Sequence, residues 1–393
     1  MKRIERLILV LVVLLFTSSC FFKGGNKMVI DNGTEKTEIR YSGQIKFNAD
    51  ETTIEKISKF GYIEYQKNDI KLFAGNTKAG ELKFDIMNNN QRVNPESEEG
   101  KRLIATVIQD LISNGFDSPG RIQRIEQKGG LRAVLKETDR IQSDFSKSNY
   151  LEYLLKSDSI KKTHLVEVAQ KIEKQLGSDF EKSKLLKQFP EKLLQDSAVS
   201  KSYFSAVGTI GSDFEKANAL KSRVNESLNR EQAEAIITTA NSLGSDFEKA
   251  NVLKMLIDHS VFNEIDNLKM IQSIDNIGSE FEKCNLLKAA IDKSALNGED
   301  FTNLLSSSSK IGSDYEKVNL LKKFLEKELH NDQQWSDLIA CTTQIGSEYE
   351  RSNILLQIAE KMPKNDVLKE NYMNAAKTIN SENDFGRVVK AIN

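Results

Sequence analysis

The sequence predicts a mainly α-helical protein: a right-handed α-α solenoid of about seven to eight 34-residue helix-pair repeats, preceded by a small antiparallel β domain. Two observations carry this prediction. A run of the form Gly-Ser-Asp/Glu-Phe/Tyr-Glu-Lys/Arg recurs every 33 to 35 residues through most of the chain after residue 140. Before it, residues 39–86 alternate apolar and polar side chains with a period of two, which is typical of half-buried strands.

Composition places the chain among folded proteins and removes several classes of partner. It has 393 residues, of which 39% are hydrophobic and 29% charged, enough for two or three packed units. The 56 Lys and Arg are balanced by 57 Asp and Glu, with no long block of one sign, so we expect no nucleic-acid partner. Four Pro and three Cys exclude a Pro-rich linker protein and a disulfide scaffold.

The N-terminus has the pattern of an export signal. Basic residues precede an apolar run from Leu7 to Phe16, and small residues precede Cys20. The Cys resembles the acylated Cys in the lipobox of bacterial lipoproteins, which predicts a signal peptide at 1–19, lipid on Cys20 and a tether at 20–38. Thr17 stands where that motif usually has Leu, and an uncleaved anchor helix over Leu7–Phe22 is the alternative. Both place the protein in a bacterial cell envelope, membrane-anchored and facing outside the cytoplasm, at the outer membrane or the periplasmic side.

The β domain is predicted at 39–94 and a helical connector at 95–142. Asn68-Asp69 and the segment from Gly75 to Gly80 separate the alternating runs, as hairpin turns do. A helix after Pro95 has an apolar stripe that includes Leu103, Ile104, Val107, Ile108, Leu111 and Ile112. Because so small a sheet buries little alone, we expect that helix to cover one of its faces.

Each repeat of the solenoid, at 143–393, begins with a Ser that fits a helix N-cap. A Glu three residues later is expected to reach back to the Ser, forming a capping box. These structural pairs are Ser178 and Glu181, Ser212 and Glu215, Ser245 and Glu248, Ser279 and Glu282, Ser313 and Glu316, and Ser347 and Glu350.

Other recurring positions predict how the repeats pack. The Gly before each Ser suits a left-handed residue that ends the preceding helix. An aromatic two after the Ser, a small residue five after and a Leu eight after are expected to line one face. Pro190 should stop its helix early. A recurring amide six after the Ser is expected to bridge to the neighbouring repeat's turn, at Asn149, Asn218, Asn251, Asn285, Asn319 and Asn353.

The units lack the Trp, Leu-Gly, Tyr and Pro marks of tetratricopeptide repeats. The chain resembles uncharacterised bacterial envelope lipoproteins that join a small β domain to helical repeats written Ile-x-Ser-Asp-Tyr/Phe-Glu-Lys. Similar repeats form the extramembrane tails of some beta-lactam-sensor-type zinc metallopeptidases. The matching stretches are 41–47, 61–65, 129–135 and every repeat mark. The resemblance implies an accessory, sensing or scaffolding module, since the peptidase's His-Glu-x-x-His ligands are missing here.

No pattern in the sequence predicts catalysis, a metal site or a cofactor. The three His residues are scattered over different repeats, and Cys284 and Cys341 occupy slots for small buried residues. We therefore expect a non-catalytic scaffold that binds a protein or peptide. Contact is expected on the exposed faces of the second helices, where the repeats differ most. The alternative is a ligand-sensing or regulatory accessory protein that works with a membrane peptidase or signalling partner.

Overall fold

The computed structural model describes residues 25–31, 35–225, 228–259, 267–296 and 298–392. The predicted mainly helical architecture with a preceding antiparallel sheet is confirmed, and 59% of the described residues are helical. The chain divides into two compact units, one extending to Leu154 and the other starting at Leu155. Cys20 and the proposed signal lie outside the described residues. Within the described ranges, no helix combines the length and apolarity needed to span a membrane.

The first unit contains a six-stranded antiparallel sheet with the order β1-β2-β5-β6-β7-β8, and a separate two-stranded pair, β3-β4. Apolar residues alternate along the strands, so one face of the sheet is buried, with Ile39, Ile63, Leu72 and Ile86 at its centre. The strands are β1 (Asn26–Asp31), β2 (Lys36–Ser42), β3 (Ile45–Phe47), β4 (Ile54–Ile57), β5 (Tyr62–Lys67), β6 (Ile70–Asn76), β7 (Leu82–Asn88) and β8 (Gln91–Val93).

The tether predicted at 20–38 is wrong for its described part. Residues 26–31 form β1, which pairs with β2 from Asn26 opposite Tyr41 to Asp31 opposite Lys36. Met28 and Ile30 pack against the core of the sheet. Two apolar side chains on one face are enough to stabilise a strand that pairs with an existing strand. In the sequence alone, two such side chains do not predict a strand.

The helix that follows the sheet covers its buried face, as predicted. Helix α1 (Glu98–Ser113) begins at Ser97, whose side chain accepts a hydrogen bond from the Gly100 N–H. The buried residues of α1 share one hydrophobic core with those of the sheet, and Phe116 completes that core. Burial of this apolar stripe, rather than helix propensity, therefore stabilises the unit.

A buried charge network joins the β3-β4 loop to two helices, α2 (Ser118–Glu137) and α3 (Asp144–Leu155). Arg121 is only 2% exposed and makes two bonds to Glu51, at 2.6 and 2.8 Å. It also donates to Glu137 at 2.8 Å and to the Tyr150 hydroxyl at 2.9 Å. Four of the five N–H groups of this guanidinium are bonded, so the network holds the loop in place despite the left-handed φ of +56° at Glu51.

The second unit consists of helices in two layers. In each repeat a first helix starts at the recurring Ser and a second helix follows. The first helices are α5 (Asp179–Leu186), α8 (Asp213–Lys221), α10 (Asp246–Asp258), α12 (Glu280–Lys293), α14 (Asp314–Leu325), α16 (Glu348–Lys361) and α18 (Glu382–Lys390). The second helices are α4 (Lys162–Gln175), α7 (Ser197–Gly208), α9 (Arg230–Ala240), α11 (Asn267–Asp275), α13 (Gly298–Ser309), α15 (Asp332–Thr342) and α17 (Asp366–Ala376), and the short α6 (Glu191–Leu194) precedes α7.

Consecutive first helices pack side by side, and so do consecutive second helices. The Leu eight residues after each Ser is fully buried between the layers, as predicted, from Leu186 to Leu355. Helix α5 ends at Leu186, and Pro190 becomes the N-cap of α6, so the predicted early stop is confirmed.

Candidate functional site

The recurring Ser residues are N-caps. In every repeat from Ser178 to Ser347, the Ser hydroxyl accepts a hydrogen bond from the backbone N–H three residues on, at 3.3 to 3.4 Å. The last repeat uses Ser381 with the N–H of Asp384. One orphan donor at each helix start is thereby satisfied.

The second half of the predicted capping box is made by a different residue. The carboxylate directly after each Ser accepts hydrogen bonds from the turn that begins the next repeat. Asp314 accepts from the Gly346 N–H at 3.0 Å and from the Ser347 N–H at 2.7 Å. Asp179 does the same at the first of these junctions, and the remaining junctions use Asp213, Asp246, Glu280 and Glu348. The Ser N–H is therefore held from the previous repeat, and the Glu three residues on is free for another role.

The Gly before each Ser serves this contact. Its φ is not positive at these junctions, so the predicted left-handed conformation is wrong. A Cβ on Gly346 would lie 3.1 Å from the Asp314 carboxylate, and one on Gly312 would lie 2.7 Å from Glu280. Glycine gives the carboxylate room to approach the backbone closely, and at the last junction Asn380 stands in this position and its side chain donates to Glu348.

At three junctions a basic residue four after the Ser also contacts this turn, through a backbone carbonyl. Lys182 donates to the Thr209 carbonyl at 3.1 Å, and Lys317 to the Gln344 carbonyl at 2.9 Å. Arg351 donates to the Thr378 carbonyl at 2.8 Å. Each is at most 9% exposed. We call the acid one after the Ser and the base four after it the turn clamp, because together they bind both the carbonyl end of a second helix and the N–H groups that start the next first helix.

The Glu three residues after the Ser pairs instead with a lysine of the preceding repeat at two junctions. Lys221 lies 3.4 Å from Glu248, and Lys288 lies 2.7 Å from Glu316. These partly exposed pairs add little to stability. They do neutralise the charges along the outer side of the first helices.

The aromatic two residues after the Ser is exposed, which contradicts its predicted place on the buried face. Three residues of a helix rotate by about 300°, which is about 60° short of a full turn, so this residue lies about 120° around the helix from the buried Leu six positions later. Six successive repeats expose this ring by 59% to 70%. We call these residues the aromatic row: Phe180, Phe214, Phe247, Phe281, Tyr315 and Tyr349.

The recurring Asn residues lie on the same outer face, one turn after the aromatic. Asn285 is exposed, and the Asn residues of the other repeats, such as Asn218 and Asn319, are half-buried. Among the described residues, no bond given by the structure joins these side chains to a neighbouring turn, and the clamp acid makes that bridge instead. The predicted structural bridge by Asn149, Asn218, Asn251, Asn285, Asn319 and Asn353 is therefore wrong.

Hydrogen bonds and burial shift the pKa values of several residues in the repeats. Hydrogen bonds from the Gly346 and Ser347 backbone lower the pKa of Asp314. Burial raises the pKa of both Cys284 and Cys341 to about 11, so these thiols stay protonated at neutral pH. In the part of the chain that the structure describes, no three His, Cys, Asp or Glu side chains come together as metal ligands. A small, partly open pocket lies beside Leu194, Phe204 and Arg223 in the helical unit.

Sequence reasoning found the period and the caps but missed the clamp and the exposure of the aromatic row. The clamp acid resembles an ordinary first-turn carboxylate, and its partners lie 31 to 33 residues away in sequence. The angle of about 120° around the helix axis between the aromatic residue and the buried Leu predicts that the aromatic row is exposed.

Comparison with protein families, curated proteins and solved structures gives no match for this chain. The geometry of the repeats is therefore the ground on which a function can be argued.

Proposed function

We propose that the protein is a non-catalytic lipoprotein of a bacterial cell envelope, anchored through Cys20, whose helical repeats bind a protein or peptide. The aromatic row carries this proposal. Its rings recur at an exposed position that interior packing does not require, and exposed apolar groups in a regular pattern are typical of interaction surfaces.

Simple repeat duplication does not account for the row. The second helices have diverged between repeats, as a comparison of Glu231–Thr238, Asp300–Leu305 and Gln334–Ile339 reveals. An exposed ring that stays the same while other exposed positions change is best explained by a contact with a partner.

The spacing of the row favours an extended partner segment. Side-by-side helices are about 8–10 Å apart, and one turn of a polyproline II helix, at three residues of about 3.1 Å each, advances by a matching distance. Charges beside the rings are paired between repeats at Lys221–Glu248 and Lys288–Glu316. We therefore expect an uncharged segment with an apolar side chain or proline about every third residue.

Replacing three neighbouring rings tests the proposal. The combined variant Phe214→Ser, Phe247→Ser and Phe281→Ser is expected to reduce capture of the partner at least about 100-fold, since aromatic anchors dominate binding energy. Thermal unfolding should change little because the rings are exposed. The measurement is crosslinking in intact cells followed by mass spectrometry, and then a binding titration with the protein identified.

Lysine substitutions on the second helices provide the matched control and test the alternative surface. Thr238→Lys, Gln272→Lys and Ser306→Lys together change three exposed positions in three adjacent repeats. We expect capture to survive in this variant. Loss of capture here, with full capture by the serine variant, would assign the partner to the second helices and refute the role of the aromatic row.

The anchor is tested at Cys20. Cys20→Ala is expected to release the protein from the membrane fraction or to stall its processing, because the acyl chains provide the attachment. The measurement is fractionation of cells together with mass spectrometry of the N-terminal peptide of the parent. A variant that stays in the membrane, with a parent that lacks an acyl chain, would favour the uncleaved helix.

A further inference from the structure

Phe60 stands out on the surface of the first unit. It is 85% exposed, more than any other large apolar side chain given by the described residues. It lies in a turn from Ser58 to Gly61, closed by a bond of 2.8 Å between the Gly61 N–H and the Ser58 carbonyl. Lys59 lies beside it, with its ammonium 5.3 Å from the ring centroid. The ring is therefore presented to the surroundings next to a positive charge.

The backbone at Phe60 is strained. Its φ is +63°, in the left-handed region where glycine and asparagine are favoured and a bulky side chain is an outlier. The turn fits closely against β2, because a Cβ on Gly61 would lie 2.7 Å from the Ser42 carbonyl. A strained phenylalanine with so little buried surface stabilises nothing inside the unit, which indicates that the ring serves a contact outside it.

The start of the described chain lies at this same end of the sheet. A Cβ on Gly25 would be 2.5 Å from the Tyr62 hydroxyl and 2.6 Å from the Tyr41 carbonyl. Tyr62 is two residues from Phe60 and stacks on Phe73 with ring centroids 6.4 Å apart. Four residues separate Cys20 from Gly25, and the five residue-to-residue steps between them span at most about 17 Å. An acyl chain on Cys20 would thus keep this end of the sheet close to the membrane surface.

A second turn adds positive charge at this end. Residues 77–81 connect β6 to β7, and Asn76 links them to the Phe60 turn by donating to the Ile57 and Ser58 carbonyls at 2.9 and 3.1 Å. Lys78 in this turn and Lys59 are both exposed, and the turn also contains the acidic residue Glu81. Lysines at such a position attract anionic lipid headgroups, although the whole chain is nearly neutral.

We propose that Phe60, flanked by Lys59 and Lys78, inserts into the headgroup region of the phospholipid bilayer that holds the Cys20 anchor. This is a second membrane contact, and it orients the β domain with its Phe60 end toward the lipid. The inference rests on the anchor of the proposed function, and its occupant is the bilayer because the reach from Cys20 brings that surface to this end of the sheet. A protein partner at Phe60 would overturn it.

Depth of the ring is measured in the full-length acylated protein, reconstituted in vesicles of phosphatidylethanolamine and phosphatidylglycerol with brominated acyl chains. The reporter is Phe60→Trp, and its matched control is Asp69→Trp, in the exposed turn at the opposite end of the strands, about 20 Å away. The buried native Trp335 gives a constant background. We expect bromine to quench the tryptophan fluorescence of Phe60→Trp and to leave that of Asp69→Trp unchanged. Equal quenching of the two, or none at residue 60 in protein shown to be acylated, would refute the insertion.

Affinity is measured without the anchor, in the chain from residue 20 onward with Cys20→Ser, by cosedimentation with the same vesicles unbrominated. Phe60→Gly should weaken binding about tenfold, as expected for loss of one inserted ring. Lys59→Ala and Lys78→Ala should each weaken it about fivefold on anionic vesicles and leave zwitterionic ones unaffected. Lys36→Ala, at the opposite end of the sheet, is the control.

Phe60→Gly also separates binding from folding. Glycine adopts a positive φ without strain, so this variant should unfold at the same or a higher temperature than the parent. Vesicle binding that survives Phe60→Gly, or crosslinking of residue 60 to a protein in cells while lipid contact is absent, would overturn the proposal. If mass spectrometry finds no acyl chain, the anchor fails, and cosedimentation still decides whether Phe60 binds lipid.

Discussion

Arg121→Met is expected to destabilise the first unit by about 3–5 kcal/mol, the largest loss of stability that we foresee for one substitution. Methionine fills much of the same space but leaves Glu51 and Glu137 with only the exposed Arg140 as a cation, at 3.9 and 3.3 Å. Both are largely buried, with side chains 20% and 12% exposed. The measurement is chemical unfolding followed by circular dichroism at neutral pH.

Its control lies on the same helix. Arg124→Met removes an ion pair with Asp117 from a side chain that is 37% exposed, and should cost less than about 1 kcal/mol. Burial is the largest single effect on Glu51 and disfavours its charged form, but the hydrogen bonds and charge of Arg121, together with the charges of Arg140 and Arg124, outweigh it and lower the pKa of Glu51. The stabilisation provided by charged Glu51 is therefore complete at pH values above its ordinary pKa and is lost as pH falls through its lowered pKa. The loss of stability caused by Arg121→Met should therefore become smaller in acid. Equal losses for the two arginine variants would contradict a network centred on Arg121.

The second large effect is expected at the turn clamp. Asp314→Ala removes the acceptor of two backbone N–H groups, at 3.0 and 2.7 Å, and should lower the free energy of unfolding of the helical unit by about 2–3 kcal/mol. Ser347→Ala, which removes only the cap at the same junction, should cost about 1 kcal/mol. The measurement is urea unfolding of the two variants and the parent.

Asp366→Ala is the matched control, because Asp366 is also a first-turn carboxylate but is exposed on a second helix. It should cost about 0.3–1 kcal/mol, the value of a helix-dipole interaction alone. The lowered pKa of Asp314 gives the pH dependence: its contribution is present above the ordinary value of 3.8 and disappears as pH falls through the lowered value. A larger loss in Ser347→Ala than in Asp314→Ala would show that the cap, and not the clamp, holds the junction.

Much of this architecture could be predicted because the residues that determine it lie close together in the sequence. The Ser caps, the buried Leu residues and the early stop at Pro190 depend on residues within one or two helical turns. Strand β1 was not predicted because its few apolar side chains indicate a strand only when β2 is known to lie beside it.

The candidate site was harder to predict because its features depend on packing. Nothing near Asp314 in the sequence reveals that its partners are Gly346 and Ser347 of the next repeat. Nor does the run Lys59-Phe60-Gly61 reveal a left-handed φ at its central residue. The exposed aromatic row was within reach of helix geometry, and was misplaced because a drift of 60° per three residues was neglected.

The turn clamp has a consequence for how the helical unit reaches its native state. The acid of the clamp joins residues 31 to 33 positions apart and the base joins residues 27 apart, so contacts between repeats span a short and nearly constant stretch of chain. The entropy lost on loop closure is then similar at each junction. The low contact order favours rapid folding, which can begin at any pair of repeats and spread toward both ends. Synthesis on the ribosome delivers such a chain progressively, and each newly made repeat can pack on the one before it.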